Sequence, residues 1–256
     1  MTTKTLWALP LLALTLLGGC RGQELTDAVP EVLATYPHDA DAFTQGLLLD
    51  EGRFFESTGL YGASTLREVV PETGEVLREV AVPPEYFAEG LTLVGDRLIQ
   101  ITWREGEAFV YDRDTLERTG TLSYAGEGWG LCYDGEQLIM SDGSATLTRR
   151  DPETFRVLGT YGVTLGGQPV TRLNELECVL GDVYANVWQT DTIVRIDEMG
   201  EVVQEIDASN LLSAEERAQL GPDAVLNGIA YDPEAETFFL TGKLWPKLLE
   251  VRFIPE

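Results

Sequence analysis

Five segments of this chain follow one pattern. "FTQGLLLDEGRFFESTG" starts at Phe43, "FAEGLTLVGDRLIQITW" at Phe87, "EGWGLCYDGEQLIMSDG" at Glu127, "LNELECVLGDVYANVWQTD" at Leu173 and "VLNGIAYDPEAETFFLTGK" at Val225. In each, a polar or aromatic residue, usually followed by glycine, opens an apolar run. A turn built on Gly or Asp reverses it, and a second apolar run returns. The opening residues are Gln45, Glu89, Trp129, Asn174 and Asn227, spaced by roughly 40 to 53 residues, the range of propeller blades. Third runs such as "LREVVPETG" from Leu66 and fourth runs such as "EVLREVAV" from Glu75 complete the copies. Successive strands with hairpin turns and almost no helical period predict an all-β chain. The expected fold is a five-bladed β-propeller of four-stranded antiparallel blades, with a two-sheet sandwich as the alternative.

The fifth copy ends at "LLEVRF" from Leu248, so its outer strand is missing. A spare run, "EVLATY" from Glu31, precedes the first copy, and pairing the two would cover an exposed blade edge. The propeller is therefore expected over residues 31–256, acting as a monomer. The one helical insertion falls at 213–220, where Ser213 and Glu216 have capping-box spacing.

Residues 1–19 read as an export leader. Lys4 precedes about fifteen mostly apolar residues, too few to span a membrane comfortably. The ending Leu17-Gly18-Gly19-Cys20 resembles a bacterial lipoprotein cleavage box, in which Cys20 becomes the lipidated first residue. Several acyl chains would anchor the protein to a membrane, on the periplasmic or cell-surface side, with residues 20–30 as a tether. Cys132 and Cys178 remain. They form no disulfide framework and no zinc spacing, and are expected as small buried apolar residues.

With 43 acidic against 18 basic residues the formal net charge is −25, which carries no nucleic-acid footprint. Such a surface favours solubility and draws weakly on cationic ligands, a peptide α-amine among them.

In a propeller the inner strands line one channel, so Gln45, Glu89, Trp129, Asn174 and Asn227 should converge at its mouth. A second ring is expected from the far ends of the next strands: Thr58, Trp103, Asp142, Trp188, and Thr241 with Lys243. Three tryptophans around a few polar groups suit a small-ligand pocket. Glu89, on an apolar strand near aromatic rings, should have a raised pKa and exchange protons near neutrality. Alternation aims Glu175 and Glu177 either away from the channel or along it. His38 is the one histidine and is expected to be structural.

The motifs "YPHDADAFTQGL", "ESTGLYGASTLR", "FAEGLT", "TWRE", "GEGWGL", "SDGS", "LNELE", "ANVWQTD", "LNGIAYD" and "TGKLWPK" together resemble the glutamine cyclotransferase family of plant and bacterial type, over about residues 31–253. The resemblance implies a five-bladed propeller that converts N-terminal glutamine of peptides or proteins to pyroglutamate, releasing ammonia without a metal or other cofactor. It places the catalytic glutamate on Glu89 and the substrate pocket on Phe43, Gln45, Phe87, Trp103, Trp129, Asn174, Trp188 and Lys243. Two other readings compete. Glu89, Asn174 and Asn227 could supply oxygen ligands for a calcium-dependent propeller lactonase or esterase, and a non-catalytic propeller could bind a protein partner through its loops.

Overall fold

The computed structural model of the chain describes Met1 and residues 25–256; the expected leader and Cys20 lie outside them. Among the described residues the regular structure is almost all β-strand, in mostly antiparallel sheets. The first sheet runs Thr44–Asp50, Arg53–Thr58, Thr65–Val69 and Val76–Ala81. The second runs Ala88–Val94, Arg97–Thr102, Glu107–Asp112 and Arg118–Ser123, and the third Leu131–Tyr133, Leu138–Met140, Thr146–Arg150 and Val157–Gly162.

The last two units are fused into one eight-stranded sheet. Leu173–Val179, Asp182–Val187, Thr192–Ile196 and Val202–Asp207 form one half. Leu226–Asp232, Thr237–Gly242 and Lys247–Pro255 form the other, and the N-terminal strand Thr26–Pro37 lies between the halves. That strand pairs antiparallel with the C-terminal one, Ala28 opposite Pro255 and Pro37 opposite Lys247. Its first residues also pair in parallel with the fourth unit, Thr26 opposite Gln204. The outer strand missing from the fifth copy is thus supplied by the N-terminus. It begins at Thr26, so residues 26–30, expected as tether, are sheet.

Burial explains the order of strands within a unit. Thr44–Asp50 and Ala88–Val94 are buried nearly throughout, whereas the fourth strands Val76–Ala81 and Arg118–Ser123 are largely exposed. First strands are apolar on both faces because neighbouring units cover both. Leu48, Phe55, Leu66, Leu91, Leu98 and Phe109 fill the space between the first two sheets. Leu47, Phe54, Ala230, Phe239 and Leu248 fill that between the first and the last. Each such leucine or phenylalanine contributes roughly 1.5–3 kcal/mol by leaving water. The first strands touch in a closed cycle through all five units and back, a propeller-like arrangement.

Four of the five first strands carry a register slip: between Thr44 and Gly46, Ala88 and Leu91, Leu173 and Leu176, and Leu226 and Ile229. A bulge frees a residue from the ladder and re-aims its side chain. The freed positions hold Gln45, Glu89, Asn174 and Asn227. Gly90 follows Glu89 because the next unit comes too close for a side chain: a Cβ there would lie 2.5 Å from Leu131 N.

The second ring is shifted from its expected membership. In four units the residue after the second strand donates its N–H to the carbonyl preceding the first strand: Gly59 to Phe43, Trp103 to Phe87, Trp188 to Arg172, and Lys243 to Val225. The equivalent positions are therefore Gly59 and Lys243, and not Thr58 and Thr241. Those threonines stay inside the sheet, Thr58 Oγ1 against Thr65 Oγ1 at 2.7 Å and Thr241 Oγ1 donating to Lys247 O at 2.9 Å. Asp142 is exposed and accepts from Ser144 N at 3.0 Å, closing a local turn.

Cys132 and Cys178 are joined in a disulfide, which corrects the expectation of two free apolar side chains. They stand on the first strands of neighbouring units, 5.5 Å apart at Cα. The helix Ala214–Gln219 has the expected capping box, Glu216 N donating to Ser213 Oγ and Ser213 N to Glu216 Oε2. None of its side chains is buried.

Candidate active site

Phe43, Gln45, Phe87, Glu89, Trp103, Trp129, Asn174, Trp188 and Lys243 line one cavity of about 240 Å³. The bulges deliver the polar groups and the ends of the second strands deliver Trp103, Trp188 and Lys243. Gln189, Pro222, Asp223 and Val225 complete the lining; the repeat pattern did not single them out. Gln189 lies on the turn after Trp188, Pro222 and Asp223 on the loop before the fifth copy, where turn composition is the only signal, and Val225 opens that copy.

The apolar wall is a chain of edge-to-face rings. Phe43 meets Phe87 at 6.2 Å, Phe87 meets Trp103 at 5.7 Å, and Trp129 meets Trp188 at 5.5 Å between centroids. Glu127 bridges the gap between Trp103 and Trp129. Its Oε2 accepts both indole N–H groups, at 2.8 and 3.1 Å, and its Oε1 accepts Arg104 Nε at 3.1 Å. Burial pushes the Glu127 carboxyl up, but these three donors outweigh it and hold the group below its usual range. The Arg104 guanidinium lies 3.6 Å from the Trp103 centroid, packing the ring from one side. Glu127 was legible only as part of "GEGWGL"; its role depends on Trp103, which lies in another unit.

Glu89 is buried, and its Oε1 accepts from Gln45 Nε2 at 3.2 Å. Gln45 is itself oriented, since its Oε1 accepts from Asn227 Nδ2 at 3.3 Å, and the same nitrogen donates to Thr44 O at 2.9 Å. Asn227 therefore stands behind the cavity and does not line it, unlike the ring expected from the repeats. The desolvation of Glu89 raises its pKa well above the usual carboxylate value; Lys243 offsets this in part, while Glu127 and Glu105 add to it. Lys243 is depressed to about 8 by burial, against the opposing pull of Glu89 and Asp223. Its Nζ lies 4.8 Å from the Phe43 ring centroid. Asn174 Oδ1 is buried with no hydrogen-bond partner, and a buried polar atom of that kind is costly unless something else meets it.

Glu175 and Glu177 serve the scaffold. Glu175 accepts from Leu47 N at 3.4 Å and Ile229 N at 2.9 Å, and Glu177 from Tyr231 N at 3.1 Å. Burial raises both, Glu177 to about 8. A second buried acid–base pair lies beside the site. His38 places Nε2 3.0 Å from Glu56 Oε1 and Nδ1 2.7 Å from Trp245 O, and Thr44 Oγ1 donates to the same Glu56 oxygen at 2.7 Å. Among the described residues no group of three or more His, Cys, Asp or Glu side chains is placed to hold a metal ion.

Residues 6–253 match the family model described as "Glutamine cyclotransferase". A glutaminyl-peptide cyclotransferase of Arabidopsis thaliana is 44% identical over 229 residues, covering 87% of this chain and 70% of that relative. The crystal structure of a glutaminyl cyclase from Myxococcus xanthus superposes with a TM-score of 0.86 at 43% identity, covering 91% of this chain and all of that one. The chain belongs to the glutamine cyclotransferase family.

Proposed function

We propose that the protein is a glutaminyl-peptide cyclotransferase in which Glu89 shuttles the proton, built on five four-stranded blades with the last closed by the N-terminal strand. One observation carries the reading: a buried carboxylate, raised by desolvation, faces an aromatic-walled cavity beside a buried lysine lowered to about 8.

The cavity suits intramolecular chemistry. An N-terminal glutamine must fold so that its α-amine reaches its own γ-carboxamide carbon, a positioning task for Phe43, Phe87, Trp103, Trp129 and Trp188. The amine forms a C–N bond to that carbon and carries one proton too many. Glu89, ionised, takes this proton and returns it to the carboxamide nitrogen as the old C–N bond breaks, so pyroglutamate and ammonia leave and Glu89 is restored. The oxygen that gains charge in the tetrahedral intermediate needs donors; the Lys243 ammonium and the Asn174 amide serve as these. Gln45, held by Asn227, keeps the Glu89 carboxylate aimed. No separate nucleophile is required.

The test is direct. Incubating the purified protein with a glutamine-initiated dipeptide should release ammonia and yield the pyroglutamyl product, with activity retained after dialysis against a chelator. Activity lost on dialysis and restored by calcium would favour the oxygen-ligand reading instead. We also propose that the chain is exported and acylated at Cys20, as its leader pattern suggests, and works as a monomer. Membrane fractionation of wild type and Cys20→Ala, with a sized extract, tests both.

A further inference from the structure

The wall of the active-site cavity has one arc without a ring. From Phe43 through Phe87, Trp103, Trp129 and Trp188 the aromatic contacts run on, bridged once by Glu127. Lys243 lies against Phe43 at the other end. Between Trp188 and Lys243 the wall is only Gln189 and the loop carrying Pro222, Asp223 and Val225. Directly behind this arc lies a second cavity of about 500 Å³, about twice the first, and Gln189, Pro222 and Val225 line both.

The far wall of the second cavity includes Arg217 of the helix Ala214–Gln219 and Leu220 just after it. That helix buries no side chain, so packing does not account for its presence. It is nonetheless fixed in place. Glu216 accepts from Lys247 Nζ at 2.7 Å, Arg217 pairs with Asp191 at 3.1 Å, and Arg217 also donates to Ser209 O at 3.1 Å. An insertion with no core, tied down at both a neighbouring turn and a strand, acts as a wall.

We propose that this second cavity receives the peptide residues that follow the N-terminal glutamine. The inference rests on the cyclotransferase reading of the first cavity. A substrate whose first side chain lies among the rings can lead the rest of its chain past the one arc without a ring, where the two cavities share Gln189, Pro222 and Val225. The gap opens onto a space with polar groups free for a peptide backbone. Gln189, which lines both cavities, is exposed with no hydrogen bond from its amide among the described residues, and Asp223, on the wall of the first cavity, is exposed with no ion pair within 4 Å there. Gln189 also holds a left-handed φ of 62°, which turns the chain away immediately after Trp188 and keeps the gap from closing. The helix then sets the length of chain over which contacts accumulate.

Glutamine α-amide, which has nothing beyond the first residue, and a glutamine-initiated pentapeptide separate the two cavities. Wild type should process the pentapeptide with a kcat/KM about tenfold or more above that of the amide. Gly221→Trp and Thr190→Trp place bulk on the two loops that border the second cavity. A Cβ at Gly221 meets nothing within 4 Å, so the fold tolerates it. In at least one of these variants the pentapeptide advantage should vanish through KM, while the amide stays within about twofold of wild type. Equal wild-type efficiency on both substrates would overturn the subsite, as would an advantage intact in both variants or an equal loss on both substrates. No ammonia from either substrate with wild type would sink the cyclotransferase reading, and the subsite with it.

Discussion

Two buried carboxylates, Glu56 and Glu89, meet opposite fates within one short stretch of structure. Thr44 bonds Glu56 and its neighbour Gln45 bonds Glu89; Ser57, next to Glu56, donates to the Glu89 carbonyl at 2.5 Å. Burial pushes both carboxyls up. At Glu56 the imidazole of His38, with Arg67 and the Thr44 hydroxyl behind it, outweighs burial and holds the group below its usual value. Two acceptors face the His38 ring, so the doubly protonated form satisfies both. Burial lowers His38, but Glu56 and the Trp245 carbonyl raise it further. Glu89 has one amide donor and no ion pair in contact, and stays raised. The difference lies in the partners provided, since the desolvation is common to both. A saturated pair is inert and stabilises the fold; an unsaturated one is available to a substrate.

If that contrast is right, Glu89→Gln should have the largest effect. A proton shuttle is typically worth about 10²–10⁴ in rate, so kcat should fall by that order with little change in KM. Thermal stability should hold or rise, because a partly desolvated charge is gone. A folded variant within about tenfold of wild type would remove Glu89 from the role.

His38→Ala should do the reverse. Removing the nearest partner of buried Glu56, which keeps only Arg67 at 3.9 Å and the Thr44 hydroxyl, is expected to cost about 3 kcal/mol in urea unfolding, while kcat of the folded fraction stays within a few-fold. The pH dependence has a definite sign. Glu56, depressed in the fold, contributes stability that is present above its ordinary 4.5 and lost as pH falls through its folded value. His38, raised in the fold, contributes stability that is present below its ordinary 6.5 and lost as pH rises through its folded value. The pair is fully effective between about 4.5 and 6.5, and His38→Ala should flatten the stability curve beyond both sides of that window.

Lys243 offers a finer test. With its pKa near 8, kcat/KM should decline by about tenfold per pH unit on the basic side if its ammonium meets the oxyanion. Lys243→Arg, which keeps its charge, should move that limb upward; an unmoved limb would assign the donor elsewhere.

Asn227→Leu should give the smallest change. Freeing the Gln45 amide loosens one hydrogen bond to Glu89, worth about 1 kcal/mol, so kcat should drop about fivefold with KM held. The acid limb of kcat/KM should move up with Glu89, a displacement that loss of scaffold rigidity alone would not produce.

Much of this is legible in the sequence, because the fold repeats. The residue opening each apolar run is legible in "TQGL", "AEGL", "LNEL" and "LNGI", and the bulges put the first three of these, Gln45, Glu89 and Asn174, in the cavity. Asn227 broke the rule by turning its amide to Thr44 and Gln45. The second ring was misread by a residue or two at Thr58 and Thr241, since the last ladder position cannot be located from an apolar run. Glu127 and the loop at Pro222 and Asp223 were missed for another reason. Their roles come from side chains of other units that only closure of the ring brings near. The parallel pairing of Thr26–Pro37 with Val202–Asp207, which fuses two units, also left no pattern in either strand.

The Cys132–Cys178 bond has a bearing on where the chain can mature. It closes a loop with a sequence separation of 46, which in the chain-entropy model restricts the unfolded ensemble by roughly 4 kcal/mol. Such bonds persist in oxidising surroundings and are kept open by cytosolic reductants. A copy of the enzyme retained inside the cell would carry two thiols at the seam between its third and fourth units and would melt earlier than an exported one. The thiol titre of the recovered protein would therefore report whether it folded in reducing or in oxidising surroundings.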